Sequence, residues 1–273
     1  MKSNNPVFSR SEEFNRASTN AYGNQTSDPS SWGTGTPGQV DDSRMTIDSV
    51  VQKTAISIFL VFAAAFATWW WIGDIVDGSG VIDAAWSRAL TLAMLGAGAA
   101  FLLSLANSFK KVISPALVLA FAAVEGVALG AISKVFEAQF DGIVIQAVLG
   151  TFAAFIGTLA AYKFFEIKVG NKFRTFVIAG MFGMVGLGLL SLVLSFFGIS
   201  TGLYGNGPLG FIFALAGLVL GVFMLILDFD FVEKGVAAGV PEKESWRAAF
   251  GLTVTLIWLY VMMLRLLAIL RGE

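Results

Sequence analysis

Three acidic residues lie inside otherwise apolar segments, and they are the side chains best suited to do chemistry. Glu125 sits in the middle of LVLAFAAVEGVALGAI, and Asp228 and Asp230 lie near the end of VFMLILDFDFVEKG. A carboxylate inside a bilayer costs several kcal/mol, so it usually faces a cavity or a partner. Glu125 is therefore a candidate proton- or cation-interacting group. The alternative is a protonated carboxyl that is hydrogen-bonded to nearby backbone.

Asp228 and Asp230 cannot both face one direction if the helix that carries them is regular. Successive residues turn by about 100°, so these two side chains point about 200° apart. Only one of them can then face the interior of a helix bundle, unless the helix breaks there. Charges that end a helix at the membrane interface are common, so both residues are equally well explained as interfacial.

The absence of two residue types excludes several kinds of site. The 273-residue chain contains no His and no Cys, which excludes Ser-His-Asp triads, HExxH zinc sites and disulfides. Residues 248–270 contain no Lys for a retinal Schiff base. An aspartyl-type enzyme needs two carboxylates that share one proton, and the available ones lie at different depths or on opposite helix faces. We therefore expect no enzymatic activity.

The composition predicts an integral membrane protein. Hydrophobic residues make up 56% of the chain and charged residues 14%, whereas soluble domains are roughly 25% charged. A bilayer-spanning helix needs about 20 apolar residues. The predicted fold is an all-α seven-transmembrane-helix bundle over residues 47–273, with short loops and with spans at about 54–76, 84–106, 112–135, 143–165, 175–198, 207–231 and 248–270.

Residues 1–46 differ sharply from the rest in composition. They are rich in Ser, Asn, Gly, Thr and Pro, and such a segment cannot bury enough surface to offset its ordering entropy. The sequence therefore predicts a disordered tail. Its isolated aromatic residues are either docking elements for a membrane-protein partner or ordinary variation: Phe8, Phe14, Tyr22 and Trp32.

The distribution of positive charge predicts the orientation in the membrane. Fourteen of the 18 Lys and Arg residues fall in the tail and in the second, fourth and sixth loops. Because cytoplasmic loops carry the excess of Lys and Arg, we expect the N-terminus in the cytoplasm and the C-terminus outside. A net charge of −1 with no basic cluster argues against a nucleic-acid partner, which leaves the lipid bilayer as the expected surroundings.

Glycine spacing predicts close helix contacts. Thirty glycines are present, most of them inside the apolar blocks. Gly126 and Gly130 form one small-xxx-small face, and Gly217 and Gly221 form another. Such faces let the backbones of neighbouring membrane helices approach each other.

From its third helix onward, the chain resembles the bacterial branch of the transmembrane Bax inhibitor motif family. The resemblance rests on the order and spacing of several short segments. LAFAAVEGVALGAISKVFE and IVIQAVLGTFAAFIGTLAAYKFF are similar to the family's third and fourth helices. GPLGFIFALAGLVLGVFMLILDFDFVEKG is similar to its sixth helix, and MMLRLLAIL to the end of its last helix.

The resemblance implies a fold and a function. It implies six helices around a central seventh, in a bacterial inner membrane, and a pH-sensitive calcium leak gated by two Asp residues that share a proton. Asp228 matches the Asp of helix six. The Asp of helix seven falls at Thr255, or at Val254 if Trp246 anchors the alignment, and neither residue is a carboxylate. Asp230 and Glu125 are the two conceivable substitutes.

Two functions from different classes follow. One is a cation (calcium) leak or proton-coupled pathway that uses Asp228 with Glu125 or Asp230. The other is a membrane-embedded regulator of other membrane proteins, such as a quality-control protease, that uses the N-terminal tail and conducts no ions. No cofactor is expected. Calcium binding should be weak at most, because scattered carboxylates do not form a high-affinity site.

Overall fold

The computed structural model of the protein describes residues 44–77 and 80–272. It contains seven long helices: α1 (Ile47–Ile72), α2 (Asp83–Phe109), α3 (Pro115–Gln139), α4 (Ile143–Phe164), α5 (Asn171–Phe196), α6 (Pro208–Ala237) and α7 (Ser245–Arg271). Each is long and apolar enough to cross a membrane, which confirms the predicted seven-helix fold class. Residues 1–43 of the predicted disordered tail lie outside the described residues.

The start of α1 is set by a reciprocal cap. The hydroxyl of Thr46 accepts a hydrogen bond from the backbone N–H of Ser49, and the hydroxyl of Ser49 accepts one from the backbone N–H of Thr46. This arrangement satisfies two of the donors that a helix start leaves unpaired. The helix therefore begins at Ile47, seven residues before the predicted position 54. The prediction counted only the apolar block, whereas the helix also includes the more polar residues that precede it.

The end of α1 also differs from the prediction. The helix stops at Ile72 instead of position 76, because Gly73 adopts a positive φ of 74°. A two-residue hairpin follows, in which β1 (Val76–Asp77) pairs antiparallel with β2 (Gly80–Val81). The sequence predicts only a short loop at this point.

The last helix lies at the centre of the bundle. α7 packs against α1, α3, α4 and α6, whereas α2 packs mainly on α3, and α5 packs mainly on α6. α3 and α7 are the most buried of the seven spans. The arrangement agrees with the expected bundle around a central seventh helix.

Contacts at the helix ends show that the chain runs up and down through the bundle. At the face where α1 begins, here called the N-side face, Lys53 forms an ion pair with Glu242 at 2.7 Å. Arg247 also donates a hydrogen bond to the carbonyl of Lys111 at this face. At the opposite C-side face, Arg271 donates a hydrogen bond to the carbonyl of Asp141. Both ends of α7 thus form hydrogen bonds with the loops that lie beside them.

Glycines of α3 bring α1 against its backbone. A Cβ atom added at Gly126 would lie 2.5 Å from the carbonyl oxygen of Val61, and one added at Gly130 would meet the backbone of Ala65. In the same way, Gly217 and Gly221 of α6 accommodate side chains of α7. Both predicted small-residue faces are helix contacts.

Replacing Gly130 by Ala should destabilise the bundle. The new methyl group would overlap backbone atoms of Ala65, and backbone cannot move aside as a flexible side chain does. We expect a loss of about 1–3 kcal/mol in the free energy of unfolding, measured by titration with a denaturing detergent. Gly183→Ala is the matched control, because a Cβ at Gly183 meets nothing within 4 Å. Equal effects of the two substitutions would contradict the prediction.

Candidate functional site

Asp228 joins α6 to the central helix. Its carboxylate oxygen Oδ2 accepts a hydrogen bond of 2.6 Å from the hydroxyl of Thr255 on α7. α6 begins with Pro208 in its first turn and continues unbroken past this point to Ala237. The carboxylate therefore projects from a regular helix onto α7.

The surface of α7 beneath this carboxylate is shaped by a glycine. Gly251 lies one helical turn before Thr255, and a Cβ added there would be 3.5 Å from Oδ1 of Asp228. One carboxylate oxygen thus rests over Gly251 while the other is held by Thr255. Buried apolar side chains within four positions of Asp228 on α6 or of Thr255 on α7 pack in one cluster: Leu225, Phe229, Leu252 and Leu259.

Thr255 and Val254, the two positions at which the resemblance places a second Asp, differ in exposure. Thr255 is 4% exposed and contacts Asp228. Val254 is 37% exposed and lines a separate cavity. The structure therefore brings Thr255, and not Val254, to the carboxylate of α6.

Asp230 belongs to a different cluster. It is 4% exposed and forms ion pairs with Arg174 of α5 at 3.0 Å and with Lys234 of α6 at 2.7 Å. Its carboxylate points toward α5, whereas that of Asp228 points toward α7. The helix is unbroken here, and Asp230 does not join Asp228 as a second carboxylate.

Neither ion-pair partner of Asp230 is predicted from the sequence. The spacing of four residues between Asp230 and Lys234 is a signal that could have identified the second partner, because such positions are neighbours on a helix surface. No local pattern identifies Arg174, which lies 56 positions away in the chain.

Glu125 lies apart from both aspartates. It is half-buried and lines a cavity of about 1100 Å³ between α2, α3, α5 and α7. Asp228 is not among the residues that line this cavity. Within residues 44–77 and 80–272, the Glu125 carboxylate has no hydrogen-bond or ion-pair partner. The structure thus contains neither the hydrogen bond to nearby backbone that was one alternative for Glu125 nor a direct contact with Asp228.

The three candidate carboxylates thus occupy three separate environments. Asp228 is held by a neutral hydroxyl, Asp230 by two cations, and Glu125 by no protein group that the structure describes. In the described part of the chain, no group of three or more Asp and Glu side chains is arranged to hold a metal ion. Asp228 with Thr255 is the candidate site, since it combines a part-buried contact between two helices with a carboxylate that has no ion-pair partner among the described residues.

Comparison with protein families gives a match that covers almost the whole chain. The sequence model of the Bax inhibitor 1 like family matches residues 5–272 of the chain, which is nearly its whole length. No curated protein matches the chain.

Proposed function

The chain belongs to the Bax inhibitor 1 like family, and from that premise we propose that it is a pH-sensitive cation leak of the membrane, with calcium as the expected ion. Asp228 is the group that binds the ion or the proton. Thr255 holds the Asp228 carboxylate in place through its hydrogen bond. The proposal involves no catalytic step and no resident cofactor.

One observation carries the proposal. The hydroxyl of Thr255 lies 2.6 Å from the carboxylate of Asp228, at the two positions where the family resemblance implies a pair of Asp residues. Asp228 has no cation partner among the described residues. A hard cation prefers oxygen ligands, and this pair offers a carboxylate and a hydroxyl inside the bundle.

The contact between Asp228 and Thr255 also supports a dependence of the cation flux on pH. A proton bound to Asp228 removes the only formal charge at the contact, and it competes with a cation for the same oxygen atoms. Asp230 cannot take over this role, because its charge is already compensated by Arg174 and Lys234. We therefore expect cation flux to fall as the pH is lowered.

Asp228→Asn should abolish the leak. The full chain is reconstituted into vesicles that contain a calcium indicator, and the rate of calcium entry is measured across a range of pH values. The wild type should exceed empty vesicles and slow at low pH. The Asn variant should match empty vesicles at every pH, because the amide keeps the shape of the side chain but carries no charge.

A matched pair of threonines provides the control. Thr255→Val removes the hydroxyl that holds Asp228. Thr253→Val removes a buried hydroxyl that donates its hydrogen bond to the carbonyl of Ala249 in the same helix. Only the first substitution should change the pH profile. Equal calcium entry in empty and wild-type vesicles would refute the leak and leave the regulatory role predicted from the tail.

Orientation completes the proposal. The excess of Lys and Arg in the tail and in the second, fourth and sixth loops supports a cytoplasmic N-side face. Asp228 lies in the half of α6 that approaches this face. The proposed ion contact is thus nearer the cytoplasm than the outside, in the inner membrane of a bacterium.

A further inference from the structure

The cavity that Glu125 lines is a second feature of the bundle, distinct from the contact between Asp228 and Thr255. It lies between α2 and α5, which share no extensive contact, and it is closed on its inner side by α3 and α7. Several of its lining residues are exposed at the surface of the bundle: Phe101, Leu189, Leu192 and Ile199. The cavity therefore opens sideways, toward the apolar part of the membrane.

The charge of this cavity is unbalanced. Glu125 is the only carboxylate among its lining residues, and no Lys or Arg lines it. An uncompensated carboxylate at membrane depth is costly, and such groups usually pair with a partner or a ligand. A ligand that carries a positive charge would compensate this carboxylate.

Aromatic rings supply the remaining part of a recognition site. Five of them line the cavity: Phe101, Phe121, Tyr204, Phe213 and Trp258. The indole N–H of Trp258 donates to the carbonyl of Gly217 at 2.9 Å, which fixes that ring in place. Aromatic faces attract cations, most strongly when water is excluded.

A cation of the protein, Arg265, contacts two of these rings although it does not itself line the cavity. The guanidinium of Arg265 stacks on Tyr204 at 4.7 Å and on Phe213 at 5.4 Å, and it donates a hydrogen bond to the carbonyl of Leu203. Arg265 would repel a second positive charge beside those two rings. The positive group of a ligand should therefore lie beside Glu125, with its apolar body among the other rings.

We propose that this cavity binds lipophilic cations, meaning organic ammonium or phosphonium compounds with bulky apolar groups. Its volume of about 1100 Å³ slightly exceeds the range of roughly 300–1,000 Å³ for small-molecule pockets, so a bulky ligand fits. The lateral opening admits ligands that are already dissolved in the bilayer. The proposal does not depend on the leak, because Asp228 does not line the cavity.

The test compares two probes of nearly the same shape and opposite charge. Tetraphenylphosphonium and tetraphenylborate are each titrated into the purified full chain in mild detergent, and binding is measured by equilibrium dialysis. The phosphonium should bind more tightly to the wild type than the borate does. Glu125→Gln should raise the Kd of the phosphonium on the order of tenfold, the equivalent of about 1.4 kcal/mol, and should improve binding of the borate.

Two variants separate this site from folding effects and from the leak. Glu125→Asp keeps the charge and should retain most of the phosphonium binding. Asp228→Asn removes a different carboxylate, which does not line the cavity, and should leave the phosphonium binding unchanged. Equal binding of the phosphonium to the wild type and to Glu125→Gln would overturn the proposal. Copurified phospholipid that both proteins retain, with no phosphonium bound, would also overturn it and assign the cavity to lipid chains.

Discussion

Thr255→Asp should turn the contact between α6 and α7 into a pair of carboxylates with a stronger preference for calcium. The hydroxyl of Thr255 is 2.6 Å from the carboxylate of Asp228, so a carboxylate at position 255 would lie close to the same atoms. Two carboxylates this close titrate as one coupled pair, which releases its protons in two steps. A divalent cation gains most from bridging them, since it prefers several oxygen ligands.

The expected result is a change in both selectivity and pH profile. Calcium entry relative to potassium entry should increase on the order of tenfold, equal to about 1.4 kcal/mol. The dependence on pH should spread over two steps. Both quantities are measured in the reconstituted vesicles with indicators for the two ions. Thr255→Asn is the control, because it adds the same bulk without charge, and identical behaviour of the Asn and Asp variants would show that charge at this position is irrelevant.

Removing both cations around Asp230 should have the largest effect on stability. Asp230 is 4% exposed, and the double variant Arg174→Gln, Lys234→Gln would leave its charge buried without an ionic partner. Breaking a buried ion pair in this way typically costs about 3–5 kcal/mol. The loss is measured as a lower free energy of unfolding in a titration with denaturing detergent.

Asp230→Asn, which removes the carboxylate instead of the two cations, should lower the free energy of unfolding much less. The side chains of Arg174 and Lys234 are 46% and 59% exposed, so both can be hydrated once Asp230→Asn removes their partner. We expect a loss of about 1 kcal/mol or less, as for exposed ion pairs. Adding Asp230→Asn to the double variant should restore most of its stability. A triple variant as unstable as the double variant would show that the buried charge is not the cause.

Much of the fold follows from one-dimensional patterns. Seven apolar blocks of spanning length predict seven helices, because each segment must satisfy its own backbone hydrogen bonds inside a bilayer. The divergence of Asp228 and Asp230 follows from the turn of about 100° per residue. The structure agrees, with one side chain directed at α7 and the other at α5.

The site depends on information that these patterns do not contain. Whether Thr255 or Val254 faces Asp228 depends on how α7 is rotated about its axis, and that rotation is set by its contacts with four other helices. The pairing of Arg174 with Asp230 joins two helices at their N-side ends. The cavity beside Glu125 exists because α2 and α5 share no extensive contact. Each of these features arises only when separate helices come together.

The position of α5 at the edge of the bundle has a consequence for biosynthesis. α5 packs mainly on α6, and it is the second most apolar of the seven spans. Since a nascent chain emerges with its N-terminus first, α5 leaves the ribosome before its main partner has been made. It must enter the lipid on its own hydrophobicity, with Arg174 near its N-side end. When α6 follows, the buried carboxylate of Asp230 meets a guanidinium that is already in position.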